Sequence, residues 1–594
     1  MILKALCDYY EAMLASGSDI PVAGMEFRSI KYMIVIDYDG CFIRLEDLRD
    51  EKGQGQPLAV IQGDKRTSKV FPYTLWDKSK YILGWDPNDK KGPDFPKELQ
   101  VFKERIDELC TTFPDNMEFK AIQLFYQQYT GRLPQLEGVN QIKGNDWLTF
   151  KIQGSEYFHI SAHPDATCLA EKDMTSTDNK GHCLVYGEEL PLADLHPKVN
   201  LAGAEAQATI VSFQKNQGFD SYGKKQGENA PISTKASFAH TTALNYLLRS
   251  GAETNYRIGD ITYVFWNSLL DEEINKAFKE YGFAQENSTN LDAPNPEDEA
   301  YRVRETFEGV LGIRRGRISH GTEKEEGRFY ILGISPGGRI AVRFWKEGTI
   351  GDIFHNLYLH LQDMNIVTWQ NEGSEERPPK RSLFRIVSQI TSSDKADQWG
   401  LNLIQSIVES ILNGTPYPKA LQEACLGRVR LKGDVTEYRA AILKGCINRN
   451  IRSKKYNKSK ELTMALDKTN TNTAYLLGRA FAILESIQQK ALGTTNSSIR
   501  DRFYGSASTR PNTVFGRLIA LSNHHLSKLK KEKQGLAIYF EQELQEILSK
   551  IEVKEGNPPF PAVFNLDKQS LFAVGYYQQK AYRKADDNDS DNEK

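Results

Sequence analysis

Cysteine is sparse and scattered. Cys7, Cys41, Cys110, Cys168, Cys183, Cys425 and Cys446 form no C-x-x-C pair, and their number is odd. That argues against a disulfide framework and a zinc ribbon and fits a reducing compartment. Cys168, His182 and Cys183 come nearest to a ligand set, but a second close pair is missing, so no metal is expected. Long apolar runs are missing too: none approaches the roughly 18 residues of a membrane span. The opening MILKALCDYYEAML lacks the basic, apolar and small-residue regions of a signal peptide, so a cytoplasmic protein without a membrane partner is expected. Enzyme signatures are also missing, among them G-x-x-x-x-G-K-[ST], H-E-x-x-H and G-x-G-x-x-G. Asp37 and Asp39 flank a turn, where aspartate serves the backbone. His524 and His525 would point about 100° apart on a helix. No catalytic residue and no cofactor is expected.

What is present is a long chain of two textures. Its 594 residues exceed the size at which one core stops growing. Residues 1–370 read as mixed α and β. Apolar residues surround Asp39-Gly40, so Tyr32–Asp37 and Phe42–Leu45 are expected to pair as a hairpin. Trp147–Ile152 and Thr262–Trp266 have strand character, and Phe329–Ile334 with Ile340–Trp345 flank a second hairpin turn. Residues 284–300 and 371–381 are polar and Pro-containing, as linkers are. From 382 to 565 the period becomes helical, with Leu477, Phe481, Leu484, Ile487 and Ala491 on one face and Leu536, Phe540, Leu544, Ile547 and Ile551 on another. The fold class expected is α+β, a mixed N-terminal region with β-hairpins followed by a helical bundle, with an acidic disordered tail at 585–594.

Net charge is only −2, but it is unevenly spread: between Cys425 and Met464 stand eleven Lys or Arg against three acids. Basic charge on a helical framework suits a phosphate backbone through counterion release. A solvated helix face is the alternative. The second informative stretch is SFQKNQGFDSYGKKQGENAPIS, residues 212–233. It is too polar for a core and too aromatic for a plain linker. Its Lys, Asn and Gln suit phosphates and base edges, and its aromatics suit wedging or stacking. A long surface loop pinned by aromatic anchors accounts for it equally well.

CLVYGEELPLADLHPKV, this polar segment, FAHTTALNYLL and IGDITYVFWN follow one another in an order that resembles the large subunit of the type I-C CRISPR surveillance complex, Cascade. MILKALCDYYEAM, RTSKVFPYTLWDKSKYILG, MALDKTNTNTAYLLGRAFAILE and FPAVFNLDKQSLFAVGYYQQKAY resemble it too, so the likeness runs from Met1 to Tyr582. The resemblance implies a non-catalytic subunit that reads the short motif beside the target, promotes DNA unwinding and R-loop formation, and helps recruit a helicase–nuclease. Its partners would be guide RNA, target double-stranded DNA, backbone subunits, a guide-processing subunit and a small subunit. On this reading Phe219, Tyr222, Lys224, Lys225, Gln226 and Asn229 meet the adjacent-motif DNA. Arg449, Arg452, Lys454, Lys455, Lys458 and Arg479 face the displaced strand. Met464 is an internal start that yields the small subunit. The competing readings are a nuclease or phosphohydrolase acting on nucleic acid, and a scaffold that never touches DNA.

Overall fold

The computed structural model describes residues 2–63, 70–85, 95–131, 133, 139–175, 179–205, 208–214, 218, 222–283, 326–337, 339–367, 383–390, 400–454, 460–493, 497–553 and 558–591. Both linker stretches, 284–300 and 371–381, lie outside them. The fold is mixed α+β with a helical C-terminal region, as expected from the change of period. The chain forms two compact units, Met1–Arg249 with Gly337–Ile340, and Ser250–Pro336 with Ala341–Lys594. The division therefore falls at residue 249 and not near 371–381.

The first unit opens with α1 (Ile2–Ala15), then β1 (Met25–Ile30), β2 (Tyr32–Ile36), β3 (Phe42–Asp47), β4 (Gln56–Ile61) and β5 (Trp76–Lys78). Next come α2 (Ser79–Ile82), α3 (Pro96–Thr112), α4 (Met117–Gln128), β6 (Trp147–Ile152), α5 (Pro164–Thr175), β7 (Lys180–His182), β8 (Glu189–Pro191) and α6 (Thr234–Leu247). The main sheet has the order β3-β2-β6-β5. All five residues of β2 are buried, which explains its unbroken apolar run, and it pairs antiparallel with β3 and parallel with β6. The β2–β3 turn confirms a backbone role for Asp37, whose Oδ1 accepts from the Asp39 and Cys41 amides at 3.0 and 2.8 Å. Gly40 there has φ +78°, and a Cβ would lie 2.4 Å from the Phe125 nitrogen, so only glycine fits. On α4, Phe125 and Tyr126 meet Phe150 of β6 edge-on, which seats the helix on the sheet.

In the second unit β9 (Asn255–Ile258), β10 (Ile261–Asn267), β11 (Arg328–Ser335) and β12 (Ala341–Thr349) form an antiparallel sheet of order β12-β11-β10-β9. Both hairpins anticipated in the sequence are thus present. Tyr263, Phe265, Phe329, Ile331 and Phe344 point from this sheet into one large core shared with α7 (Glu272–Phe283) and α8 (Ile350–Met364). That core continues through α9 (Leu383–Ile390), α10 (Leu401–Asn413), α11 (Lys419–Lys432) and α12 (Glu437–Ser453). It ends in α13 (Thr473–Leu492), α14 (Ile499–Thr509), α15 (Phe515–Glu532), α16 (Gln534–Ser549) and α17 (Leu566–Asp591). The sheet and the bundle therefore share a core, which is why the boundary precedes β9.

Two features of α17 depart from the sequence reading. It belongs to the bundle, although the bundle was bounded at 565, and its backbone is helical to Asp591, within the range expected to be a disordered tail. Once a helix is nucleated by packing, each further residue costs little to add. Buried Phe572, Ala573, Val574 and Tyr576 supply that packing. Among the described residues, no helix is long and apolar enough to cross a membrane.

Candidate nucleic-acid interface

The polar loop of the first unit is held firmly at its C-terminal end. The Leu184 amide donates to the Pro231 carbonyl and the Ala193 amide to the Ile232 carbonyl, each at 2.9 Å, and Leu192 bridges Ser233. Ser233 then caps α6 by accepting from the Ala236 amide at 3.1 Å. Gly227 lies so close to this base that a Cβ would fall 2.0 Å from the Ala193 carbonyl oxygen.

Lys224 and Lys225 are both exposed, and Tyr222 is 101% accessible with φ +56°. A non-glycine residue in the left-handed region carries strain, and a phenol ring fully in water gives up all burial. Gln226, at φ +38°, begins a short 3₁₀ turn, Gln226–Asn229. The Glu228 carboxylate accepts from the Lys225 amide at 2.7 Å, and the Asn229 side-chain amide donates to the Gln226 carbonyl at 3.0 Å. Asn229 thus braces the turn, while Tyr222, Lys224 and Lys225 are presented outward. Phe219 lies outside the described residues.

The basic set of the second unit is only partly brought together, and two members require correction. Arg449 is 2% exposed and cannot face a strand in solvent. Its Nε donates to Asp363 at 2.8 Å, another guanidinium nitrogen reaches the Ser410 and Thr415 carbonyls at 2.6 and 2.9 Å, and the group lies 4.3 Å from the Tyr417 ring centre. Arg479 is fully buried, with Nε donating to Gln579 at 2.8 Å. Both are core arginines. Arg452 stays near the surface but is shared between Asp363 and Glu461, while Lys454 is exposed. Lys455 and Lys458 lie outside the described residues. Met464 is half-buried in the segment leading to α13, where its carbonyl accepts from the Val367 amide and the Gln578 side chain.

One basic face escaped the sequence reading. On α15 the exposed residues Arg517, His524, Lys528 and Lys531 recur at intervals of seven, four and three, which aligns them along one side of the helix. The opposite side buries Phe515, Leu518, Ser522, Leu526 and Leu529. The spacing is present in RLIALSNHHLSKLKK, but its charges are sparser than those of the run before Met464. As for the one metal set considered, Cys168 and His182 are exposed, whereas Cys183 is buried and accepts from the Ser233 amide at 3.3 Å. Among the described residues no group of three or more His, Cys, Asp or Glu is placed to hold an ion.

The two units thus carry different polar surfaces: an anchored loop with an exposed ring and paired lysines, and a helical region with basic residues on its surface. In a search of curated proteins nothing matches the chain. A family model does match over residues 6–583, nearly the whole chain, and by it the protein belongs to the CRISPR-associated protein family Cas_Csd1.

Proposed function

We propose that this chain is the large subunit of a type I-C Cascade complex, a non-catalytic, cytoplasmic protein of RNA-guided antiviral defence. The loop carrying Tyr222, Lys224 and Lys225 reads the motif beside the target and starts strand separation. The single observation behind this is Tyr222, a fully exposed aromatic ring on left-handed backbone in an anchored loop. Strain and exposure kept together at one residue are characteristic of functional sites. A tyrosine so placed can insert at a base step, while neighbouring lysines neutralise phosphates. Gln226 and Phe219 complete the contact; Asn229 holds the turn.

In the second unit, Arg452, Lys454, Lys455 and Lys458 together with the α15 face guide the displaced strand by charge alone, which gives salt-dependent and sequence-tolerant binding. The guide RNA, backbone subunits, guide-processing subunit and helicase–nuclease are the remaining partners. A small subunit begins at Met464.

The test uses the assembled complex. Tyr222→Ala and Tyr222→Gly should each abolish target binding while assembly proceeds. Tyr222→Gly removes the strain, so its fold should be unaffected or firmer by up to about 1 kcal/mol. Normal target binding by both variants would refute the assignment. A purified chain that cleaves labelled DNA with magnesium or manganese would instead favour the nuclease reading.

A further inference from the structure

The first unit contains an open cleft of about 730 Å³ between the α3–α4 connection, the β2–β3 turn and the segment after β6. Four carboxylates line it, from Asp115, Glu118, Glu156 and Asp165, with aromatic walls from Tyr38, Phe113 and Tyr157. Its one lining group able to become cationic is His163, which is 3.7 Å from Asp165. The wall is stiff. Asn116 caps α4 through its Oδ1, while its Nδ2 donates to Asp165 at 2.8 Å and lies 3.2 Å from His163 Nδ1.

Glu118 is the informative member. It is only 7% exposed, yet among the described residues its carboxylate has no hydrogen bond or ion pair. Its place in the first turn of α4 makes its charge tolerable through the helix dipole, but does not satisfy its lone pairs. The side chain is packed away while its carboxylate oxygens are not sealed from solvent, so the cleft is where they can meet a cation. Two aromatic rings are available for the same cation. Tyr38 is 41% exposed, and Tyr157 stands edge-on to His163 with its centroid 4.9 Å away. Phe113 already has Lys172 near its ring, at 5.9 Å, so it contributes less. The field in the cleft is felt at Tyr157, whose phenol is pushed up first by hydrogen bonding to Glu156 and then by burial and the charges of Glu156, Glu118 and Asp165.

We propose that this cleft is a docking site for a basic segment of a protein partner, which inserts an arginine or lysine side chain between Tyr38 and Tyr157 onto Glu118 and its neighbouring carboxylates. A nucleic acid is disfavoured, because its phosphates would meet four negative charges. Arginine suits the site best, since its flat guanidinium stacks on rings and forks onto carboxylates. The site is independent of the DNA-facing loop and does not rest on its assignment.

The test uses the full-length chain and fluorescence anisotropy of a labelled glycine–serine peptide with a central pair of arginines. Its citrulline counterpart has the same shape without the charge. The arginine peptide should bind at least about tenfold more tightly than the citrulline one, and Glu118→Gln should remove about tenfold of that affinity. Glu156→Gln, at an exposed position where folding is not at risk, should weaken binding in the same direction. Equal binding of the two peptides, no detectable binding of either, or unchanged affinity in both variants would overturn the proposal. Tighter binding of free spermidine than of the peptide would reassign the cleft to a small cation. Direct displacement of the peptide by a short single-stranded DNA that binds the cleft would reassign it to nucleic acid, and either result also overturns the proposal.

Discussion

Asp363 receives two arginines, the buried Arg449 and the surface-lying Arg452, and is itself only 3% exposed. Removing one partner of a buried ion pair leaves the other desolvated, which costs more than the pair gains. Asp363→Asn should therefore destabilise the second unit by about 3–5 kcal/mol, measured by urea unfolding. A loss below about 1 kcal/mol would show that Tyr417 and the Ser410 and Thr415 carbonyls suffice to hold Arg449. The same two arginines show where residue-level reading fails. Arg479 lies in TAYLLGRAFAILE, where every neighbour from Ala474 to Glu485 is buried, and Arg449 falls three residues after Cys446 and seven after Ile442, on the core side of α12. Counting charge finds such residues, but only the burial of the whole stretch around them shows that they face inward. At Tyr222 the reverse holds: the sequence displays an aromatic among polar residues, but its positive φ and full exposure are conformational facts that no composition contains.

Among the helices, the closest partnership is between α13 and α17, and two glycines make it possible. A Cβ on Gly478 would lie 2.1 Å from the Phe572 carbonyl oxygen, and one on Gly575 would lie 2.3 Å from the Tyr475 carbonyl oxygen. Each helix thus presses its backbone against the other at the partner's glycine. Alanine is the better helix former, by about 1 kcal/mol. Gly478→Ala and Gly575→Ala should nonetheless each destabilise by about 1–3 kcal/mol, because overpacking a rigid backbone contact outweighs propensity. Thermal unfolding of the two variants checks the sign; a rise in Tm for either would mean the helices separate easily. Strands β2, β3, β6, β10, β11 and β12 and both hairpins were legible because apolar β-branched runs and turn residues are local signals, and so were α13 and α16 from their apolar stripes; β1, β4, β5, β7, β8 and β9 were not anticipated. Helix α17 was not, because Gly575, Gln578 and Gln579 interrupt its apolar face. Tyr475 Oη donates to Gln578 at 2.6 Å, and Arg479 donates to Gln579, so those polar residues are buried only because α13 supplies partners.

Across the whole chain, burial of neutral histidines sets an acid limit that differs between the units. Burial pushes His159 and His196 down to about 4 and His240 to about 3, with His196 adding to the last; all three belong to the first unit. In the second unit burial, with the Arg449 charge, pushes His360 to about 3. Values below the ordinary histidine range mean that the unfolded chain takes up protons which the folded chain refuses. This stability is complete above about pH 6.5 and is lost as pH falls toward 4, at up to about 1.4 kcal/mol per histidine per pH unit. Hydrogen exchange corrected for intrinsic rates should show β2, β6 and α6 losing more protection from pH 7 to pH 5 than α13; equal losses would contradict this. A second consequence concerns the piece beginning at Met464. It holds α13 to α17, and within it the rings of Phe481, Tyr504, Phe515, Phe572 and Tyr576 meet at 5.6–6.4 Å. It also keeps the buried Glu485 with its partners: Tyr576 donates at 2.6 Å, and Lys580 and Arg500 lie 3.3 and 3.9 Å away. What it loses is apolar as well as polar: α11 and α12 share one core with α13 and α17, and with them go Gln422 donating to Asp567 and Ser570, the Tyr577 hydroxyl donating to the Val367 carbonyl, and the Gln578 bond to Thr463. The Gln578 bond to Met464 itself survives the cut. A fragment with its own aromatic core can fold as a domain, less stably than in the whole chain because the apolar faces that met α11 and α12 are left open. Residues 464–594 expressed alone should therefore be helical by circular dichroism and melt cooperatively. In the intact gene, changing the Met464 codon to leucine should remove a co-purifying species of that mass and weaken DNA binding by the complex. A fragment that melts without a transition, or a wild-type complex with no species starting at Met464, would refute the internal product.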